Sequence, residues 1–203
     1  MILQKEESTT DISKKLILGS GSSARKELLV SIGIFPHKVE IPDVDESLKA
    51  NEDPRHYVKR IAVEKANSIY SAQQSYLITA DTIVTVGKRL LPKTSNKKRA
   101  QEYLNMLSGR RHSVYTAFCV KHSGSIKCKL VRTVLKMRVL NEKEITAYIA
   151  CREWVGCAGG YRIQGRAKCF FPFISGCYSN VVGLPLPSLI GVLSSMGFYK
   201  KIK

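Results

Sequence analysis

An α/β or α+β fold in one domain is the class that this sequence predicts, on three observations. Apolar runs of strand length alternate with stretches of helical periodicity, which mixes strands and helices along the chain. No internal repeat, low-complexity segment or Pro/Gly-rich linker divides the 203 residues. Hydrophobic content of 44% and charged content of 24% are ordinary for a globular protein. A chain of this length can bury one sizeable core or two small lobes.

The elements follow in order. Residues 1–14 are polar and read as a loose tail, leaving 15–203 as the folded unit. The apolar residues Leu16, Ile17 and Leu18 predict a strand. Next comes a loop of small residues (Gly19, Ser20, Gly21, Ser22, Ser23), then a helix over 23–32. Further strands are expected over 38–41, 76–80 with an extension at 82–86, 113–122 and 126–139. Val114, Thr116, Phe118 and Val120 recur at the strand period, and His122-Ser-Gly-Ser reads as the turn between two antiparallel strands. Further helices are expected over 54–70, 96–107, 142–151 and 187–196. In the first of these, Val58, Ile61, Ala62, Ala66 and Ile69 share one face, and Lys65 borders that stripe. Asn141 with Glu144 resembles a capping box, while Gly109 and Gly197 suit helix ends.

The formal net charge is +17, which favours anionic partners such as nucleotides, nucleic acid or acidic surfaces. Lysines and arginines are spread along the chain and aromatic interleaving is sparse, so solvated faces are favoured over dedicated nucleic-acid binding. No apolar run approaches a membrane span and the N-terminus lacks a secretory core, so an intracellular, cytoplasmic setting is expected. The six cysteines form no C-x-x-C pair and do not cluster with the four histidines. Zinc therefore has little support, and reduced thiols are expected.

The chemistry-bearing residues lie at element ends. A strand, a Gly/Ser loop and a helix N-terminus form an anion site, because free N–H groups and the helix dipole converge there. Arg25 adds a donor fork suited to phosphate. The alternative is a loop rich in glycine only because the chain must turn tightly. The loop is neither a P-loop nor a dinucleotide fingerprint. Asp43, Asp45 and Glu46 sit in IPDVDES. Asp81 interrupts the apolar run LITADTIV, where burying a lone carboxylate costs about several kcal/mol. A metal, a cation or an opening to solvent would relieve that cost; a turn between two short strands is the alternative. Lys65 and Lys93 are the basic candidates, and Gln164 lies among glycines that allow close backbone approach. NVVGLPLP reads as an apolar turn, with Pro187 near a helix start.

LILGSGSSARKELL, PDVDES, VEKA, ADTIV, LSGRRHSVYTA, GGYRIQGRA and NVVGLPLP occur in this order. Together they resemble the Maf family of nucleoside triphosphate pyrophosphatases over residues 15–197. The resemblance implies an elongated, bilobed α/β domain with a mixed twisted sheet and a central cleft, similar to inosine triphosphatases. It implies cleavage of a nucleoside triphosphate to monophosphate and pyrophosphate, a divalent cation (Mg²⁺ or Mn²⁺) and a homodimer. Asp81-Thr82 and Ile163-Gln164-Gly165 match the group that favours dTTP and UTP, rather than the 7-methyl-GTP group. Two departures stand out. Ala24 occupies a position where the dTTP/UTP pattern has arginine, and Pro92-Lys93-Thr94 replaces Gly-Lys-Pro.

The resemblance also implies roles. Glu46 and Asp81 hold the cation. Arg25, the amides of Ser20, Gly21, Ser22 and Ser23, and Lys65 and Lys93 grip the triphosphate. Asp81 activates water, or serves as metal ligand only, with a second carboxylate as the base. Thr82 and Gln164 bind the nucleobase, and Ala24 leaves space beside it. A nucleotide-binding regulator of cell division and a nucleic-acid-binding protein are the competing readings.

Overall fold

The structure is a computed structural model that describes residues 14–199. Most of the expected tail, residues 1–13, lies outside the described residues. Lys14 does not behave as tail: its Nζ donates to the Gly197 carbonyl at 2.6 Å.

The chain runs β1 (Leu16–Gly19), α1 (Ser23–Ser31), β2 (Lys38–Val39), α2 (Pro54–Ser68), β3 (Tyr76–Val86), β4 (Arg89–Leu91) and β5 (Lys93–Thr94). It continues through α3 (Lys97–Leu107), β6 (Arg111–His122), β7 (Ser125–Lys136), α4 (Glu142–Ala150) and β8 (Cys157–Ala158). A 3-10 turn (Arg166–Phe170), β9 (Phe173–Ser175), α5 (Tyr178–Val182) and α6 (Leu186–Ser195) complete it. The main sheet has the order β2-β1-β3-β6-β7-β9, with β4 paired to β3. Strand β1 pairs in parallel with β2 and β3, and the other pairs are antiparallel, so the sheet is mixed. A separate ribbon joins β5 to β8.

Two cores explain this arrangement. On one face of the sheet, Leu16, Leu18, Leu29, Ile78, Phe118, Leu189 and Leu193 pack together, which docks α1 and α6. The second core gathers Val84, Leu104, Leu107, Leu135, Tyr148 and Trp154, which docks α3 and α4. Helix α2 covers the opposite face through Val58, Ile61, Ala62 and Ala66 against Ile83, Ala117 and Cys119. The Asn141 capping box forms as expected, with Asn141 Oδ1 accepting from the Glu144 N–H and the Glu144 carboxylate accepting from the Asn141 N–H.

Several expectations need correction. The expected strand 76–80 and its extension 82–86 are one continuous strand, and its unbroken pairing with β6 rules out the alternative of a turn at Asp81. Strand β2 stops at Val39. Lys93 and Thr94, for which no element was expected, form β5, and Lys93 pairs with Ala158. The segment around Asn180 is a short helix, α5. Cys119 and Cys128 form a disulfide, which corrects the expectation of six reduced thiols. The cause is register: the two-residue turn at Ser123 and Gly124, both at positive φ, sets Cys119 directly opposite Cys128.

His112 is buried in the second core, where its Nε2 pairs with the Tyr161 hydroxyl at 2.9 Å. Burial pulls its pKa down from 6.5 to about 4. The unfolded chain therefore binds one more proton than the folded protein between those values. The stability associated with neutral His112 is complete above pH 6.5 and is lost as pH falls toward 4, by about 3 kcal/mol at most. Urea unfolding at pH 7 and pH 4.5 should show this loss, and the His112→Phe protein should show a correspondingly flatter profile.

Candidate functional site

The site is built where β1 ends. Gly19 is required there by close approach, since a Cβ would lie 2.7 Å from Thr79 Cγ2 and 2.8 Å from Ile69 Cδ1. The loop that follows ties itself together: Ser20 Oγ accepts from the Ser22 N–H (3.3 Å), and Ser22 Oγ caps α1 by accepting from the Arg25 N–H. The first N–H groups of α1, on Ser23 and Ala24, have no acceptor within the helix. Residues 19–25 all line a cleft of about 480 Å³.

Arg25 is buried, 5% exposed, behind this loop. Its Nε donates to the Gly183 carbonyl (2.8 Å), one Nη to Ser20 Oγ (2.9 Å) and the other to Thr82 Oγ1 (3.1 Å). Three of five N–H directions are therefore committed to protein. Burial lowers the Arg25 pKa, while the charges of Asp81 and Glu46 oppose that shift. Gly183 sits at φ 129°, a conformation that favours glycine, and this aims its carbonyl at Arg25. Thr82 Oγ1 also pairs with Thr116 Oγ1 (3.0 Å), which donates to the Asn180 carbonyl (2.9 Å).

The charged centre lies beside the loop. Lys65, on α2, is 4% exposed, and its Nζ lies 2.6 Å from Glu46 Oε1 and 3.1 Å from Asp81 Oδ1. Lys93 closes the group, with Nζ 3.4 Å from Glu46 Oε2 and 3.6 Å from Asp81 Oδ1. The helical period places Lys65 at the edge of the α2 apolar stripe, and strand alternation points Asp81 at that helix. Burial, the largest influence on Glu46, raises its pKa; the Lys65 hydrogen bond and the Lys93 charge outweigh it, so the net shift is downward. Tyr57 donates to the Glu46 carbonyl at 2.8 Å, and burial followed by the charges of Asp81 and Glu46 pushes its pKa up to about 12.

The expected residues divide between two cavities. Ser20, Gly21, Ser22, Ser23, Ala24, Arg25, Glu46, Lys65, Thr82, Lys93 and Gln164 all line the larger cleft. Asp81 lines a second cavity of about 220 Å³ with Tyr57 and Ile83. Glu46, Thr82 and Lys93 border both. Asp43 and Asp45 line neither, and Asp45 instead accepts from Ser47. Sequence reasoning missed Tyr57, Thr116, Asn180 and Gly183. The available signal was a polar Asn180 inside an apolar run; it is fully buried and donates to Thr133 Oγ1.

Glu46 and Asp81 are the carboxylates that could hold a cation. Among the described residues no group of three or more His, Cys, Asp or Glu could do so. A pair of carboxylates fits Mg²⁺ or Mn²⁺, because Mg²⁺ is usually bound through one or two carboxylates with phosphate oxygens and water completing its shell.

The family model described as Maf-like protein matches residues 15–196. A nucleoside triphosphate pyrophosphatase of Neorickettsia sennetsu is 44% identical over 193 residues, spanning 94% of this chain and 92% of that protein. A dTTP/UTP pyrophosphatase of Roseobacter denitrificans is 42% identical over 182 residues, spanning 90% and 97%. One from Sphingopyxis alaskensis is 43% identical over 183 residues, spanning 90% and 96%. Among solved structures, a Staphylococcus aureus Ham1 protein gives a TM-score of 0.44 at 14% identity, covering 61% of this chain and 72% of that one.

The buried charges give a test that needs no likeness. Lys65→Met removes the ammonium between two carboxylates, one of them 2% exposed. It should destabilise the protein by about 3–5 kcal/mol in chemical denaturation. Removing the second charge as well, in Lys65→Met/Asp81→Asn, should recover most of that loss.

Proposed function

The chain belongs to the Maf family, and from that premise we propose that it hydrolyses dTTP and UTP to the monophosphate and pyrophosphate. One observation carries the reading. A Gly/Ser loop at a helix N-terminus, Glu46, Lys65 and Lys93 border one cleft, and Asp81, within 3.1 Å of Lys65 and 3.6 Å of Lys93, opens on the adjoining smaller cavity. Relatives at 42–43% identity over nine-tenths of the chain are dTTP/UTP pyrophosphatases, which supports the same base preference.

The chemistry follows from charge. The triphosphate is a polyanion, and water must reach its α-phosphorus against repulsion. The loop amides and the α1 N-terminus bind phosphate oxygens. Arg25 acts from behind, holding Ser20 in place and contributing positive potential, since most of its donors already serve protein acceptors. Lys93, more exposed than Lys65, reaches the phosphates and balances charge as it builds on the leaving pyrophosphate. Asp81 accepts the proton of the attacking water while Lys65 fixes the orientation of its carboxylate. The oxygen of that water bonds to the α-phosphorus, and the bridge to the β-phosphorus breaks. A divalent cation held by Glu46 and Asp81 would offset phosphate charge in this site. Gln164 and Ala24 face the same cleft; Gln164 bonds the pyrimidine edge and Ala24 leaves room beside it. Thr82, bonded to Arg25 and Thr116, braces the loop as well as bordering the base. A homodimer belongs to the same proposal, on the family resemblance.

Purified protein with Mg²⁺ or Mn²⁺ should convert dTTP and UTP to equimolar monophosphate and pyrophosphate, faster than CTP or 7-methyl-GTP. Asp81→Asn should lower turnover by about 10²–10⁴-fold in protein that still folds, with a lower thermal midpoint because the buried Lys65 ammonium loses one carboxylate and keeps Glu46 as its close partner. A folded Asp81→Asn protein with near-normal turnover would remove Asp81 as the base. Preference for 7-methyl-GTP would keep the reaction and move specificity to the surroundings of Ala24.

A further inference from the structure

The proposed mechanism leaves one sheet surface unused. Directly opposed residues of paired strands share a face of the sheet. Arg111 on β6 pairs with Lys136 on β7, which pairs with Phe173 on β9. Tyr115 pairs with Arg132, and alternation puts residues 111, 113 and 115 on one face. Contacts agree: the Arg111 guanidinium carbon lies 5.6 Å from the centre of the Phe173 ring, and that of Arg132 lies 5.9 Å from the Tyr115 ring. Arg132 Nε also donates to Ser113 Oγ at 3.0 Å. Helix α2 covers this face at Ala117 and Cys119, and half-buried Tyr115 packs at the edge of that cluster. Beyond it, Arg111, Arg132, Lys136 and Phe173 are exposed.

The charge on this surface is not neutralised internally. Among the described residues, Arg111, Arg132 and Lys136 take part in no ion pair. Arg111 directly opposite Lys136 is a like-charge pair, which costs stability unless an anion lies over it. Residues 82–203, which supply the whole face, hold 22 of the 33 Lys and Arg but only 4 of the 16 Asp and Glu.

We propose that this β6–β7–β9 face binds single-stranded nucleic acid, with Arg111, Arg132 and Lys136 on backbone phosphates and Tyr115 and Phe173 stacking on bases. Cations interleaved with rings suit a single strand, whose bases are free to stack; a duplex hides its base faces, and an acidic peptide has no use for the rings. Positions 111 to 115 span about 14 Å along the strand, with about 10 Å across three strands. That is room for two or three nucleotides, as in other sheet-surface binders. The proposal uses no residue of the hydrolytic site, so either reading can fail without the other.

Fluorescence anisotropy of the full chain with a labelled oligothymidine tests it. Binding should appear at low salt, and log affinity should fall linearly with log salt at a slope of about −2, for three phosphates on a single strand. Arg111→Gln/Arg132→Gln should weaken binding at least tenfold and Phe173→Ala at least fivefold, with UTP turnover unchanged. Phe173→Ala keeps the test open if the double variant misfolds. Lys127→Gln/Lys129→Gln removes two charges at register positions on the opposite face of β7, and it should leave affinity within twofold. Absence of binding would overturn the proposal. So would equal loss in the Lys127/Lys129 variant, stronger binding of a duplex, or equal competition by polyglutamate.

Discussion

A single ammonium group, Lys65 Nζ, is held between carboxylates from two distant parts of the chain, 2.6 Å from Glu46 and 3.1 Å from Asp81. Neither Lys65 nor Asp81 has more than 4% of its surface exposed, so each needs the other. The pair sits on two elements, α2 and β3, whose apolar packing brings them together. Glu46 comes from the segment between β2 and α2, and it is tied in by Lys65, by Lys93 and through its carbonyl by Tyr57. The position of that segment at the cleft mouth thus depends on the same ammonium.

A second constraint comes from strand geometry. Consecutive residues of a strand point to opposite faces. Asp81 therefore faces α2 and the smaller cavity, while Thr82 faces Arg25 and the Gly/Ser loop. One strand serves both halves of the site. Glu46 and Lys93 border both cavities and connect the two sides. The proposed division of labour follows this layout: the loop side holds phosphate, and the Asp81 side handles the water and its proton.

Much of this was legible in the sequence. Period-two and period-3.6 patterns gave the long elements, and the capping box at Asn141 formed with both hydrogen bonds. The Gly/Ser loop and the isolated Asp81 mark the candidate site in the sequence alone. Short pairings were not legible: β5 and β8 are two residues each, and their register depends on pairs 63 and 65 positions apart in the chain, Thr94 with Cys157 and Lys93 with Ala158. The commitment of Arg25 to Gly183 spans 158 positions, and no local pattern announces it. The Cys119–Cys128 bridge was missed because a spacing of nine carries no pairing information until the turn fixes the register.

The measurement that tests the account most directly is hydrolysis of UTP in ¹⁸O-labelled water, with products resolved by ³¹P NMR and mass spectrometry. Attack at the α-phosphorus, assisted by Asp81 and the lysine pair, predicts labelled monophosphate and unlabelled pyrophosphate in equal amounts. Label in orthophosphate with nucleoside diphosphate as the other product, or label in pyrophosphate, would contradict it.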